Sequence, residues 1–255
     1  MFTIATAIIK GGTGKTATAA SLAQAAAADG LKVLAIDLDP QANLTLTLKG
    51  SQSHKGAYHL INGEPLAECL QDTPQGITLA AASPDLSTLE SKFKSANRLK
   101  QALTGAPFDT CIIDTPPAMG ESVYNALQAC NIVIYPVQTD TNSLQGLYHI
   151  ADIVKRIRET NGDFQAAYTV ITQYDGRAKL NQYLKSSIEA IAAETRAPVI
   201  ATIRNGIALR EAAAMQESLF TYAPKSRPAQ DYKALWQQLI KHHVQTGAGN
   251  HEKQV

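Results

Sequence analysis

What constrains this chain most is the alternation of two kinds of segment. Short apolar runs recur at "FTIATAII" (residues 2–9), "KVLAIDLD" (32–39), "GITLAAA" (76–82), "DTCIIDT" (109–115), "NIVIYPV" (131–137), "AAYTVIT" (166–172) and "APVIATI" (197–203). Between them lie stretches of helical composition at 15–28, 83–103, 122–129, 143–158, 180–194 and 231–243. The runs are hydrophobic along most of their length, the pattern of strands covered on both faces. Strands of that kind joined through helices predict an α/β fold, a doubly wound, mostly parallel sheet flanked by helices. A chain of 255 residues holds one such domain with a full core. A single domain over residues 1–246 is therefore expected, followed at 247–255 by a polar tail that frays. Residues 50–76 are polar and weakly periodic and predict short helices and loops.

Hydrophobic residues make up 45% and charged residues 18%, which excludes a long disordered or collagen-like chain. The net charge is only +1, but it is unevenly spread. From Gly176 onward 11 Lys and Arg stand against 6 Asp and Glu, net +5, while residues 1–175 carry 12 against 16, net −4. Such a basic third admits two readings, ordinary solvated faces or a surface for a polyanion. Cys69, Cys111 and Cys130 are odd in number, widely spaced and without a C-x-x-C pair, so neither a disulfide nor a metal site is indicated. Cys111 and Cys130 lie in or beside apolar runs and are expected to be buried, as small hydrophobes in a reducing compartment. No apolar stretch approaches the ~18 residues of a membrane span, and "MFTIATAIIKGG" lacks the charged lead of a signal segment. The expectation is a cytoplasmic protein.

The stretch "IIKGGTGKTA" (8–17) carries the chemistry. A strand that runs into a glycine-rich turn and opens into a helix offers backbone N–H groups and a helix N-terminus to an anion. Gly11, Gly12 and Gly14 let the backbone approach phosphate oxygens, Lys15 brings a point charge to the β/γ-phosphates, and Thr16 offers a hydroxyl to Mg²⁺. The strict G-x-x-x-x-G-K-[ST] pattern fails, because Ile9 stands where its first glycine belongs, and a second lysine, Lys10, precedes the glycines. This "KGGTGKT" resembles the deviant Walker A motif of the ParA/MinD family of P-loop ATPases. The resemblance implies a P-loop NTPase fold with ATP and Mg²⁺ as cofactors. It further implies that the loop Lys10 to Ala17, Thr13 included, wraps the phosphates. Lys10 would cross an ATP-sandwiched homodimer to the phosphates of the other subunit, as a trans arginine finger does elsewhere.

Two further segments carry the resemblance. "VLAIDLDPQANLT" (33–45) is similar to the family's D-x-D-P-Q-G-N segment, which implies Asp37 and Asp39 near Mg²⁺, Asp39 orienting the attacking water, and Asn43 helping to read the nucleotide state. Ala42 stands where the family usually has glycine, and Ala17 where threonine is common. "FDTCIIDTPPAMGE" (108–121) resembles a Walker B strand, implying that Asp114 holds Mg²⁺ through water and that Pro116 and Pro117 shape a second switch loop. The likeness continues in "NALQACNIVIYPVQTDTNSLQGL", "ITQYDGR", "TIRNGIALREA" and "YAPKSRPAQDYKALWQQL", so it spans nearly the whole chain. By position in the family, Gln173, Ile203 and Arg204 would flank adenine.

The family divides by what the ATP-bound dimer holds. MinD-like members end in an amphipathic basic helix that lies on membrane. Here Leu235, Trp236, Leu239 and Ile240 form a stripe with only Lys233 and Lys241 near it, a pattern expected to pack on the core, so no membrane partner is expected. ParA/Soj-like members bind double-stranded DNA nonspecifically, which needs cations and no base readout. The candidates are Lys185, Arg204, Arg210, Lys225, Arg227, Lys233 and Lys241, foremost Lys225 and Arg227 in "APKSRPA". The chain begins at its first strand, so a preceding helix-turn-helix and operator binding are not expected. The resemblance thus implies a weak ATPase that is nucleoid-associated in its ATP state. A ParB-like or other small adaptor would release it by stimulating hydrolysis, segregating plasmid or chromosome DNA. Alternatives are a protein cargo such as a carboxysome or chemotaxis cluster, and a MinD-like membrane regulator. A metabolic relative of the nitrogenase iron protein or cobyrinate amidoligase kind would need cluster cysteines or a substrate pocket.

Overall fold

The computed structural model describes residues 1–52, 54–91 and 95–251. Its sheet has strands β1 (Phe2–Thr6), β2 (Val33–Asp37), β3 (Gln71–Asp72), β4 (Thr78–Ala80), β5 (Thr110–Asp114), β6 (Ile132–Val137), β7 (Ala166–Tyr174) and β8 (Val199–Arg204). The spatial order is β3-β4-β2-β5-β1-β6-β7-β8, parallel throughout except for β3, which runs antiparallel to β4 at one edge. Every expected strand is present. The extra one, β3, consists of the polar pair Gln71-Asp72 and carries no apolar signal.

The helices are α1 (Lys15–Ala28), α2 (Asn43–Thr47), α3 (Ala57–Ile61), α4 (Arg98–Ala102), α5 (Glu121–Ala129), α6 (Thr141–Thr160), α7 (Lys179–Glu194), α8 (Ala208–Ala214), α9 (Leu219–Tyr222) and α10 (Arg227–His251). Side chains of the central strands alternate between two apolar layers, as the pleat requires. Leu34, Ile36, Cys111, Ile113, Val133 and Tyr135 enter one layer. Ile4, Val33, Ala35, Ile112, Ile132 and Ile134 enter the other, with α1 and α10. Cys69, Cys111 and Cys130 are free thiols, all buried.

Alanine-rich α1 is buried on most of its circumference, and its small side chains let it lie between the sheet and α10. Two polar contacts fix that packing: Tyr232 Oη meets Thr18 Oγ1 at 3.0 Å and Trp236 Nε1 donates to Asp29 Oδ2 at 2.8 Å. Leu235, Trp236 and Leu239 are buried, so the stripe of the last helix does face the core.

Two expectations need correction. The helix expected over 83–103 is a 3₁₀ segment at Pro84–Ser91 and the short α4; residues 92–94 lie outside the described residues. The competing interaction is tertiary. Buried Asn125 of α5 accepts from Leu99 N at 3.1 Å and donates to Ser95 O at 2.9 Å, pairing backbone groups that a continuous helix would have paired within itself. The last helix, expected over 231–243, starts earlier and runs on to His251, into the segment read as a polar tail; residues 252–255 lie outside the described residues.

Trp236 is among the largest fully buried side chains, so Trp236→Ala is expected to lower the unfolding free energy by about 3–5 kcal/mol, read from urea titration.

Candidate nucleotide-binding and hydrolysis site

The phosphate loop joins β1 to α1. Gly12 (φ 76°) and Gly14 (φ 92°) are left-handed, a conformation that side chains with a Cβ rarely adopt. No side chain caps the N-terminus of α1, so its first N–H groups need an outside acceptor, the condition for an anion site. The loop carbonyls, by contrast, are tied off by neighbouring strands. Thr172 Oγ1 donates to Thr13 O at 2.6 Å, Gln138 Nε2 to Gly12 O at 2.8 Å, and Gln173 Nε2 to the same carbonyl at 3.2 Å. Lys15 is buried and its ammonium donates to Lys10 O at 2.6 Å. Burial lowers its pKa, opposed by the charges of Asp114 and Asp39.

Sheet register brings the carboxylates together. Asp37 ends β2, Asp114 ends β5, and the two are register partners; Thr6 of β1 is the partner of Asp114 on its other side. Both carboxyls are fully buried. Burial, then the charge of Asp114, pushes Asp37 up to about 7 against the hydrogen bonds from Thr45 and Asp39. Burial likewise lifts Asp114 to about 6, opposed by Thr16, Thr6 and Lys15. Thr6 Oγ1 donates to Asp114 Oδ1 at 3.1 Å, while Oδ2 is buried without a protein partner. Two desolvated carboxylates, an unpaired oxygen and the Thr16 hydroxyl match the hard oxygen ligands that Mg²⁺ takes. Held there, the ion would neutralise charge on phosphate oxygens, and Asp37, Asp114 and Thr16 are the residues that would hold it.

Asp39 is buried two residues beyond Asp37; its N–H donates to Asp37 Oδ1 at 3.1 Å and its own Oδ1 accepts from Gln41 N at 3.0 Å. It lies near enough to Lys15 and Asp114 for its charge to act on both. Next comes Ala42 with φ 55°, a left-handed turn that starts α2 and leaves Asn43 exposed. Alanine there carries a strain of about 1–2 kcal/mol that glycine would not.

Lys10 finds its partner within the chain. Its Nζ lies 2.5 Å from Asp140 Oδ2 and 3.3 Å from Ser143 Oγ. Asp140 also caps α6, accepting from Ser143 N at 2.9 Å. Burial pushes the Asp140 carboxyl up, but hydrogen bonds from Lys10 and Ser143 outweigh it and hold the group below its usual value.

Gln173, Ile203 and Arg204 line a cavity of about 290 Å³ with Gly14, Leu209 and Tyr232. Gln173 is itself left-handed (φ 52°), which turns its side chain toward the loop. Arg204 forks onto Asp231, with Nη2 donating to Oδ1 at 2.7 Å and Nε to Oδ2 at 2.9 Å, so its cation is already paired. Arg210 borders the same cavity. Of the other basic candidates, Lys185 lies 3.7 Å from Glu189 and over the Tyr174 ring. Lys225, Arg227, Lys233 and Lys241 are exposed. Sequence reasoning missed Gln138, Asp140, Ser143 and Thr172. Their signal was positional: Gln138 and Thr172 stand at the C-terminal ends of the two strands that follow β1 in the sheet, and Asp140 and Ser143 at the start of α6.

A parallel sheet with a glycine-rich phosphate turn after its first strand and two carboxylates at neighbouring strand ends defines a P-loop nucleotide hydrolase. Comparison with known proteins makes the class specific. A family profile described as an AAA domain matches residues 1–166. The chromosome-partitioning ATPase Soj of Thermus thermophilus is 34% identical over 93% of this chain and 94% of its own. The chromosome partitioning protein ParA of Myxococcus xanthus is 29% identical over 91% and 85%. Among solved structures, cobyrinic acid a,c-diamide synthase of Mycobacterium smegmatis with bound ADP and magnesium superposes with TM-score 0.81 and 29% identity, over 96% of each chain. The chain belongs to the ParA/Soj family of P-loop ATPases.

A carboxyl whose pKa is higher folded than unfolded binds its proton better when folded, so this pair costs stability as pH rises from about 4 through 6–7. Asp114→Asn is therefore expected to raise the melting temperature of the nucleotide-free protein at pH 8, and less so at pH 5. The rise should be about 2–4 °C for each kcal/mol regained. The same change should weaken Mg²⁺-dependent ATP binding by about tenfold or more. Melting curves at both pH values and titration with a fluorescent ATP analogue check the two halves.

Proposed function

We propose that this chain is a partition ATPase whose ATP-bound form is a homodimer that binds double-stranded DNA without sequence preference. A ParB-like adaptor stimulates hydrolysis and releases it, so that ATP turnover moves plasmid or chromosome DNA. ATP and Mg²⁺ occupy the loop and the Asp37/Asp114 site, Asp39 orients the attacking water, and adenine enters the cavity beside Ile203. On dimerisation Lys10 leaves Asp140 for the phosphates of the second copy. The protein is cytoplasmic, on the nucleoid while ATP is bound.

The observation that carries this reading is the setting of the exposed cations Lys225, Arg227 and Lys233. They flank Asp231 and Tyr232 in sequence; Asp231 holds Arg204, which lines the cavity, and Tyr232 joins the cavity to Thr18 of α1. A change at the nucleotide therefore has a short path to the basic segment. Lys185, Arg210 and Lys241 are secondary contacts, and Arg204 serves the cavity. The buried stripe of α10 disfavours a membrane partner. Cobyrinic acid amidation, named for the Mycobacterium smegmatis structure, predicts no DNA affinity in any nucleotide state.

Binding of double-stranded DNA is expected with ATP only, to strengthen in Asp39→Ala, and to fall steeply with salt. Lys225→Ala with Arg227→Ala should weaken DNA retention by about tenfold with ATP turnover still measurable. DNA affinity indifferent to nucleotide, or unchanged by the double substitution, would contradict the proposed surface.

A further inference from the structure

Three glutamines from distant parts of the sequence form one relay behind the switch segment. Gln24 of α1 is buried; its Oε1 accepts from Leu219 N at 3.1 Å and its Nε2 donates to Gln75 Oε1 at 2.9 Å. Gln75 Nε2 donates on to Thr47 O at 2.9 Å and Gln216 O at 3.1 Å. Gln216 Nε2 completes the set on Leu46 O at 3.0 Å. The direction of the relay is fixed at both ends by the main chain, a donor at Leu219 and carbonyls at Leu46, Thr47 and Gln216. Only a side chain that accepts at one atom and donates at another can stand at positions 24 and 75.

Leu46 and Thr47 are the last residues of α2; Leu46 O also accepts from Lys49 N at 3.0 Å just past the helix, and Thr47 O accepts from Gln75. The other end of α2 is held by Asp37, whose Oδ2 accepts from both Thr45 N and Thr45 Oγ1 at 2.8 Å. A five-residue helix has almost no stability of its own, so its position depends on these outside ties. It begins four residues after Asp39, through the strained turn at Ala42. The far side of the relay is the α8–α9 connection. Leu209 and Ala213 of α8 line both the cavity beside Ile203 and a second cavity of about 190 Å³ that includes Thr16 and Thr47. Gln216 itself adopts φ 55°, a left-handed conformation that favours glycine, and its side chain spans from there to α2.

We infer that Gln24, Gln75 and Gln216 are positioning residues for ATP hydrolysis: they lock α2 to the P-loop helix and to the α8–α9 wall, and so set where Asp39 stands at the phosphates. None of them lines the cavity beside Ile203, so their contribution belongs to turnover and not to binding. The inference rests on the role given to Asp39 above.

The test uses the full-length protein in single-turnover ATP hydrolysis with Mg²⁺. Gln75→Glu keeps the shape but sets a carboxylate against two carbonyl oxygens. Gln216→Gly removes the tie while suiting the local backbone, which protects folding. Both are expected to lower the rate at saturating ATP by about fivefold or more, with half-saturation by ATP within about twofold of the parent and Gln216→Gly melting no lower. Asp39→Ala runs alongside. If it loses turnover while the glutamine variants turn over normally, the relay inference alone is wrong. It is equally wrong if the variants weaken ATP binding in step with the rate. If Asp39→Ala turns over like the parent, the role of Asp39 fails, and the relay inference fails with it.

Discussion

Two carboxylates held against each other without water are the constraint on which this structure turns. The β2–β5 register sets Asp37 opposite Asp114, and burial raises both pKa values toward neutrality. Such a pair destabilises the folded chain at pH above about 7 unless a cation joins it. The elements around it make sense as supports. Thr6 and Thr45 give the carboxyl groups hydrogen bonds, Lys15 lends its charge, and Asp39 bonds to Asp37 through its main chain. The packing of α1 between sheet and α10 holds the phosphate loop in front of them.

Most of the sheet was legible because its central strands are buried on both faces and therefore read as apolar runs. The phosphate loop and the strand-end carboxylates Asp37 and Asp114 were legible because their chemistry needs fixed residue types at fixed spacing. What escaped were features settled by tertiary contacts. β3 exists because a polar pair finds an edge, and the helix expected over 83–103 gives way to side-chain bonds from Asn125. The partner of the first lysine was not legible: Lys10 sits on Asp140, 130 positions away, inside a family-like stretch that does not mark it as a partner. The glutamine relay is likewise invisible in sequence, since its members lie 51 and 141 positions apart.

Left-handed alanine at position 42 shows how resemblance and physics inform each other. Family likeness marks the position as a glycine site, and the φ of 55° supplies the reason. The substitution leaves every candidate ligand in place while adding strain at the hinge between Asp39 and α2. Strain at a switch is tolerated when neighbours over-determine the segment, and Asp37 at one end of α2 with the glutamines at the other do so.

In the dimer proposed above, the Lys10–Asp140 ion pair within one chain gives way to a contact between Lys10 and the phosphates of the second copy. The direct measurement mixes two variants, each expected to be inactive alone. Lys10→Ala keeps Asp39 but lacks the lysine, while Asp39→Ala keeps the lysine but lacks the carboxylate. If Lys10 acts across the dimer, mixed dimers contain one complete site, and ATP turnover should reappear in proportion to their share. No recovery at any mixing ratio, with mixed dimers shown to form, would mean that Lys10 serves its own subunit and would contradict the account.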